Sequence, residues 1–213
     1  MEPTSYELAM FPLGTVLVPR AVLPLHLFEP RYLTLAEDVL ATEPPEFGVV
    51  LIERGAEVGG GDVRTSVGTV ASVARSDRLA ADRLAVVAVG VRRVRVVEWL
   101  ADDPYPRASV EDWPDDDLDT DLSSVTEAHR DVVTLLRQAL AAAAELGAPS
   151  APATIEISTD PRTGSFEVAA VAPIGPTDRH AVLAASGAGE RVTVLHSVIT
   201  EVLQLMRGRL AMG

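Results

Sequence analysis

Leu23-Pro24-Leu25-His26-Leu27-Phe28-Glu29-Pro30-Arg31-Tyr32 is the stretch on which the reading of this chain turns. It is apolar, aromatic and charged at once, and it carries a proline where a helix would begin. Proline suits a first helical position because its ring presets φ and its missing N–H is one the helix would leave unused. Tyr32, Leu33, Leu35, Ala36, Val39 and Leu40 then recur on one side until Pro44 and Pro45 stop the pattern. The stretch reads as a strand-to-helix corner, with Glu29 and Arg31 placed to hold it by hydrogen bonds and an ion pair.

On the C-terminal side of this helix the pattern is that of strands. Phe47–Glu53, Val67–Arg75, Leu84–Gly90 and Val91–Trp99 are short valine-rich runs separated by polar or glycine-bearing turns, the spacing of an all-β barrel or sandwich. From Asp102 to Asp121 nine acids stand against one arginine, with Pro104, Pro106 and Pro114 among them, which reads as a solvated connector. The domain boundary is therefore expected near Leu118, with a β unit over 1–117 and a helical unit over 118–213. In the second unit Ser124-Val125-Thr126-Glu127 has the form of a capping box, followed by an apolar stripe that should end at Gly147. Thr177 is placed to cap a second helix through about Ala185. Val192, Leu195, Ile199, Val202 and Met206 mark a third. Pro149–Ile157 reads as a loop or, over Thr154–Ile157, a short strand. The expected class is α+β, a β-barrel with one inserted helix followed by a helical bundle.

The chain has 213 residues, 47% of them hydrophobic, enough for one or two globular domains. Its 18 basic residues are all arginine and it has no cysteine. Without lysine there is no Walker A loop, Schiff base or serine–lysine dyad; without cysteine there is no disulfide, thiol nucleophile or thiolate metal site. No basic and apolar leader follows Met1-Glu2-Pro3, and no apolar run approaches a bilayer span, so a cytoplasmic protein without a membrane association is expected. A formal charge of -13 opposes phosphate backbones and disfavours nucleic acid as a partner.

Met10-Phe11-Pro12-Leu13 and Val16-Leu17-Val18-Pro19, followed by Leu23 to Tyr32, resemble in order and spacing the opening signature of the LON substrate-binding domain, the N-terminal domain of Lon proteases. Gly68-Thr69-Val70-Ala71 and Gly90–Val96 resemble that family's strand motifs, and Pro104-Tyr105-Pro106 with Val110-Glu111 its barrel exit. Asp160-Pro161, Ser165–Ala169 and Asp178-Arg179 are similar to its helical part. The chain departs from the pattern at Pro19-Arg20, where many members have Pro-Gly. The resemblance implies a stand-alone LON domain without the ATPase and peptidase domains, with a PUA-like barrel (one like that of pseudouridine synthases and archaeosine transglycosylases) and a helical tail. It also implies binding of unfolded or tagged polypeptides, alongside a separate protease or chaperone, in proteolysis or quality control.

Pro24, Leu25, Phe28 and Tyr32 are the candidate peptide-binding residues; the alternative is that Leu25, Leu27, Phe28 and Tyr32 fill the barrel core. Arg75, Arg78, Arg83, Arg92, Arg93 and Arg95 form the one basic concentration, with Arg93 and Arg95 on one face of a strand as candidate contacts for an anionic ligand. Acidic tags or RNA would be that ligand, while ion pairing with the acidic connector is the competing use. Asp115, Asp117, Asp119 and Asp121 alternate like calcium ligands but lack the glycine and the final acid of an EF-hand, so no metal is expected. His26, His129, His180 and His196 are scattered and read as surface or capping residues. Gly59-Gly60-Gly61 with Asp62 reads as a hairpin tip, and Ser186 as a break between two helices. No catalytic residue and no cofactor is assigned. The rival functions are an RNA-binding barrel and a small-molecule enzyme.

Overall fold

The computed structural model describes residues 4–54, 63–117 and 121–212. In chain order the elements are β1 (Tyr6–Leu13), β2 (Val22–Leu27), α1 (Pro30–Leu40), β3 (Glu46–Arg54), β4 (Val63–Ala80), β5 (Arg83–Trp99), β6 (Arg107–Asp112), α2 (Leu122–Glu145), α3 (Pro161–Val171), α4 (Pro176–Leu183) and α5 (Ala188–Met212). They form two compact units, one ending at Pro114 and the other starting at Asp115. Leu118 and the Gly59–Asp62 tip lie outside the described residues. The class is α+β, with one mixed sheet.

The strand order is β2-β5-β4-β3-β1-β6, and β6 pairs again with β5, so the pairings return on themselves. Among the described residues only β1 and β3 run parallel, with Met10 opposite Gly48. The long strand β5 makes this possible: Leu84–Val89 pairs with β2, while Val94–Trp99 pairs with β6. The sequence pattern splits this element in two at Gly90, but it is one strand. Its register against β4 shifts between Val70 and Ala71, where Val91 is passed over, and this bulge bends the strand as it changes partners. Gly90 is needed there for close approach, since a Cβ would run into the Val18 carbonyl.

The acidic segment is not connector throughout, because part of it is a strand. Arg107–Asp112, within the acidic segment, is strand β6, paired with both β1 and β5, and Ala108 and Val110 are wholly buried. Two inward positions in alternation outweigh the charge around them. Met10, Val50, Val70, Val94, Ala108 and Val110 form one core cluster. The other lies under α1, where Tyr32, Leu35, Ala36 and Val39 meet Phe11, Leu23, Leu27, Phe47 and Val86. Each valine, leucine, methionine or phenylalanine among them contributes roughly 1.5–3 kcal/mol when fully buried.

In the second unit α2 starts a turn earlier than the capping-box pattern predicts. Asp121 is the N-cap, its carboxylate accepting from the Ser123 N–H at 3.0 Å, and Ser124 lies inside the helix. The helix does end as expected, with Gly147 in the left-handed region at φ 73°. Helix α3 has no counterpart in the helical pattern of the sequence, although Asp160 caps it and Pro161 opens it. Its Gly164 hid it, because that glycine serves packing: a Cβ there would collide with the Ser158 carbonyl and the His129 ring. Gly175, not Thr177, precedes α4, which begins at Pro176. On α5 the buried stripe is Val192, Leu195, Ile199 and Leu203, in place of Val202 and Met206. Residues 146–160 are loop throughout, without the short strand.

Candidate functional site

Strand β2 pairs only with β5 among the described residues, so its other edge is open. Its inward side chains Leu23 and Leu27 are buried, and Leu25 is half-buried against the same core. The alternate residues face out: Pro24 and His26 are exposed, as are Val22 at 63% and, just beyond the strand, Phe28 at 61%. Period-two alternation thus puts an apolar row on the surface at the strand-to-helix corner. The corner itself is held as expected, with Arg31 Nε donating to Glu29 Oε2 at 3.1 Å.

Two recesses flank Phe28. The larger, of about 570 Å³, lies between β2 and the β4–β5 hairpin and is lined by His26, Phe28, Leu79, Asp82, Arg83 and neighbouring leucines. Leu79, 59% exposed, stands at the hairpin tip. Arg78 fixes that tip, donating to the Ala81 carbonyl at 3.0 Å and to Glu37 of α1 at 2.7 Å. The smaller recess, of about 150 Å³, is lined by Phe11, Pro12, Leu25, Phe28, Glu29 and Tyr32 among others. The smaller recess is mainly apolar and suits an apolar side chain, whereas His26, Asp82 and Arg83 add polar and charged groups to the leucines and Phe28 of the larger one.

Of the four candidate peptide-binding residues, Pro24 and Phe28 are therefore at the surface, Leu25 is half-covered, and Tyr32 is core. At 5% exposure Tyr32 packs its ring 4.2 Å from that of Phe11, with the Arg31 guanidinium 4.5 Å above it. Leu79 and Val22 join this surface without standing among the candidate residues of the sequence. Leu79 sits between Arg78 and Arg83, where charge drew the reading, although a lone leucine beside a two-residue turn was the available signal.

Five of the six arginines of the basic concentration have ionic, hydrogen-bonding or ring partners, while Arg83 lines the larger recess. Arg93 is 4% exposed, and Trp113 lies between it and Arg95, with guanidinium-to-ring distances of 4.4 and 4.7 Å. The anionic-ligand reading thus fails at Arg93, which is sealed by an aromatic ring. Arg95 is exposed and 3.9 Å from Glu111. Arg92 donates to Glu46 at 2.8 Å, Asp112 at 3.0 Å and the Tyr6 hydroxyl at 3.2 Å. Burial alone would lower its pKa, but these hydrogen bonds to Glu46, Tyr6 and Asp112 raise it. Tyr6 is raised as well, by burial and then by its bond to Asp112.

The alternating aspartates are equally committed. Asp115 accepts two hydrogen bonds from Arg191 at 2.6 Å, Asp117 accepts from Arg162 and from the Ala188 N–H, and Asp121 caps α2. Asp119 lies outside the described residues. No group of three or more metal-ligating side chains occurs among the described residues. His129 departs from the surface role expected of it: it is buried, with Nε2 donating to the Ser158 carbonyl at 2.9 Å. Ser186 lies between α4 and α5, its N–H and hydroxyl both donating to Glu190. No described helix is long and apolar enough to cross a membrane.

The chain thus combines a mixed sheet whose pairings close on themselves, an apolar edge at β2 and a helical unit. The ATP-dependent protease La (LON) substrate-binding domain matches residues 7–201, and the chain belongs to that family, as Leu23–Tyr32 had implied. Lon protease 1 of Herpetosiphon aurantiacus is 27% identical over 206 residues, covering 94% of this chain and 25% of the relative. Lon protease 2 of Sorangium cellulosum is 29% identical over 217 residues, covering 96% of the chain and 26% of the relative. The chain thus spans about a quarter of the length of these relatives, aligning with their N-terminal part. Among solved structures, a Lon N-terminal domain protein from Xanthomonas campestris superposes with a TM-score of 0.64 at 25% identity, covering 90% of this chain and 98% of that one. The N-terminal domain of Mycobacterium avium complex Lon protease gives 0.65 at 15% identity, covering 92% and 99%, which speaks to the fold alone.

Proposed function

We propose that this chain is a non-enzymatic polypeptide-binding module, which holds exposed apolar segments of unfolded or tagged proteins and recruits them for proteolysis or quality control. The observation that carries this reading is the exposed apolar row of β2, ending at Phe28 between two recesses, on a chain of the LON substrate-binding family. Exposed apolar surface of this kind, rimmed by Glu29, Asp82 and Arg83, suits protein contacts. In this reading the closed ring of pairings is the PUA-like barrel, the β and helical units divide near residue 118, and the protein works in the cytoplasm beside a separate protease or chaperone. The RNA-binding alternative loses its best carrier with Arg93 buried under Trp113.

Fluorescence anisotropy of a labelled, permanently unfolded polypeptide, titrated with the protein, tests the proposal. Saturable binding is expected, weakened by about ten-fold or more when Phe28→Asp and Leu79→Asp are combined. An unchanged affinity in that variant removes this face as the site, and no binding at all removes the function.

A further inference from the structure

An open sheet edge beside an apolar surface invites a second extended chain to add as a strand, whether a client or another copy of the protein. Strand β2 has such an edge, but Pro24 stands in its middle, opposite Val87 of β5. The direction of its backbone groups follows from the start of the strand. The Ala21 carbonyl accepts from the Gly90 N–H at 2.9 Å, so it points at β5. Successive residues alternate, which turns the amide and carbonyl groups of Leu23, Leu25 and Leu27 towards β5 and those of Val22, Pro24 and His26 to the open side. Pro24 therefore costs the β2–β5 ladder nothing. It removes the central donor of the outer edge and sets its ring where an incoming strand would lie.

We propose that Pro24 is a specificity-determining residue that closes the β2 edge to strand addition, so that extended polypeptides are held by apolar side chains alone. The edge is six residues long, so a missing central bond and a ring in the way interrupt any ladder that could form on it. Val22 and Phe28 at its two ends are exposed enough to drive pairing if the obstruction were absent. The occupant this favours is an unfolded segment whose bulky apolar side chains enter the recesses beside Phe28, with its backbone groups left to water. Recognition would then tolerate any backbone geometry and almost any order of residues.

The binding arm rests on the proposed function; the self-association arm does not. In the first, the wild-type protein is titrated against a labelled unfolded peptide with phenylalanine at alternate positions, and against the same peptide N-methylated at alternate amides. Side-chain capture predicts affinities within about two-fold of each other, whereas strand addition would lose about ten-fold or more with several backbone bonds removed. A loss of that size overturns the proposal. In the second arm Pro24→Val and Pro24→Thr, checked for native circular dichroism, are compared with wild type by sedimentation velocity over a range of concentrations. Self-association stronger than wild type in at least one variant is expected, and unchanged sedimentation in both overturns the gatekeeping role. If neither peptide binds, the polypeptide-binding reading falls, and the sedimentation result still decides what Pro24 does.

Discussion

Arg191 is the largest side chain to be fully buried, and the stability of the helical unit should depend on Asp115 more than on any residue of similar exposure. Its guanidinium, at 0% exposure, donates twice to Asp115 at 2.6 Å, once to the Ser165 hydroxyl at 2.9 Å and once to the Arg162 carbonyl at 3.3 Å, over the Phe166 ring at 4.0 Å. Asp115→Ala removes the only carboxylate among these partners and leaves a charge the fold cannot hydrate. Breaking such a pair from one side costs about 3–5 kcal/mol. At roughly 2–4 °C per kcal/mol for a chain of this length, the melting temperature should fall by about 10 °C. The informative comparison is the double variant, Asp115→Ala with Arg191→Met, in which no charge is stranded and an apolar chain lies on Phe166. It should melt above the single Asp115→Ala variant, with thermal unfolding followed by circular dichroism. If the double variant melts below the single one, or if Asp115→Ala melts within about 1 °C of wild type, the stranded-charge argument is wrong.

Arg20 has φ 71°, in the left-handed region that costs a residue with a Cβ roughly 1–2 kcal/mol. After the chain-entropy cost of glycine, Arg20→Gly should stabilise the protein by about 0.5–1 kcal/mol, read as a higher denaturant midpoint at unchanged slope. Gly164→Ala should destabilise by about 2 kcal/mol or more, since its methyl has no space between the Ser158 carbonyl and His129; an unchanged midpoint would mean α3 can shift away. Tyr105 donates to Asp38 at 2.7 Å, and burial, then that hydrogen bond, pushes its pKa up to about 12. A phenol that ionises near 10 when unfolded and near 12 when folded contributes stability that is intact below pH 10 and lost as pH rises to about 12. Near-ultraviolet titration should lose its highest-pH phenolate step in Tyr105→Phe, and the variant's stability should fall less between those pH values.

Much of the fold is legible in the order of residues, and the misreadings share a cause. Pro30 and the apolar spacing after it give α1, and Gly147 marks the end of α2, because these are local signals carried by backbone geometry. Gly90, Gly164 and the acidic Arg107–Asp112 stretch mislead because each answers to a distant neighbour: Val18, His129 and the paired strands β1 and β5. The candidate site is readable in part for the same reason. Alternation separates Leu23, Leu25 and Leu27 from Val22, Pro24, His26 and Phe28, but it leaves open which set faces solvent. Tyr32 went to the core through Phe11, a residue far away in the chain, and Leu79 reached the surface beside Phe28 through the length of the β4–β5 hairpin.

Strand β5 is flanked by β4 from Arg83 to Arg95, and on its other edge by β2 over Leu84–Val89 and by β6 from Val94 on. Where β5 has a partner on both edges it should open late, so the amides of Ala85–Val89, Val94 and Arg95 should be among the slowest of this unit to exchange with solvent. Strand β2, with Phe28 at its end, is fastened to that last part to yield. A surface mounted in this way does not mould itself to what it meets. In the proposed function, the ordering on encounter falls on the visiting chain.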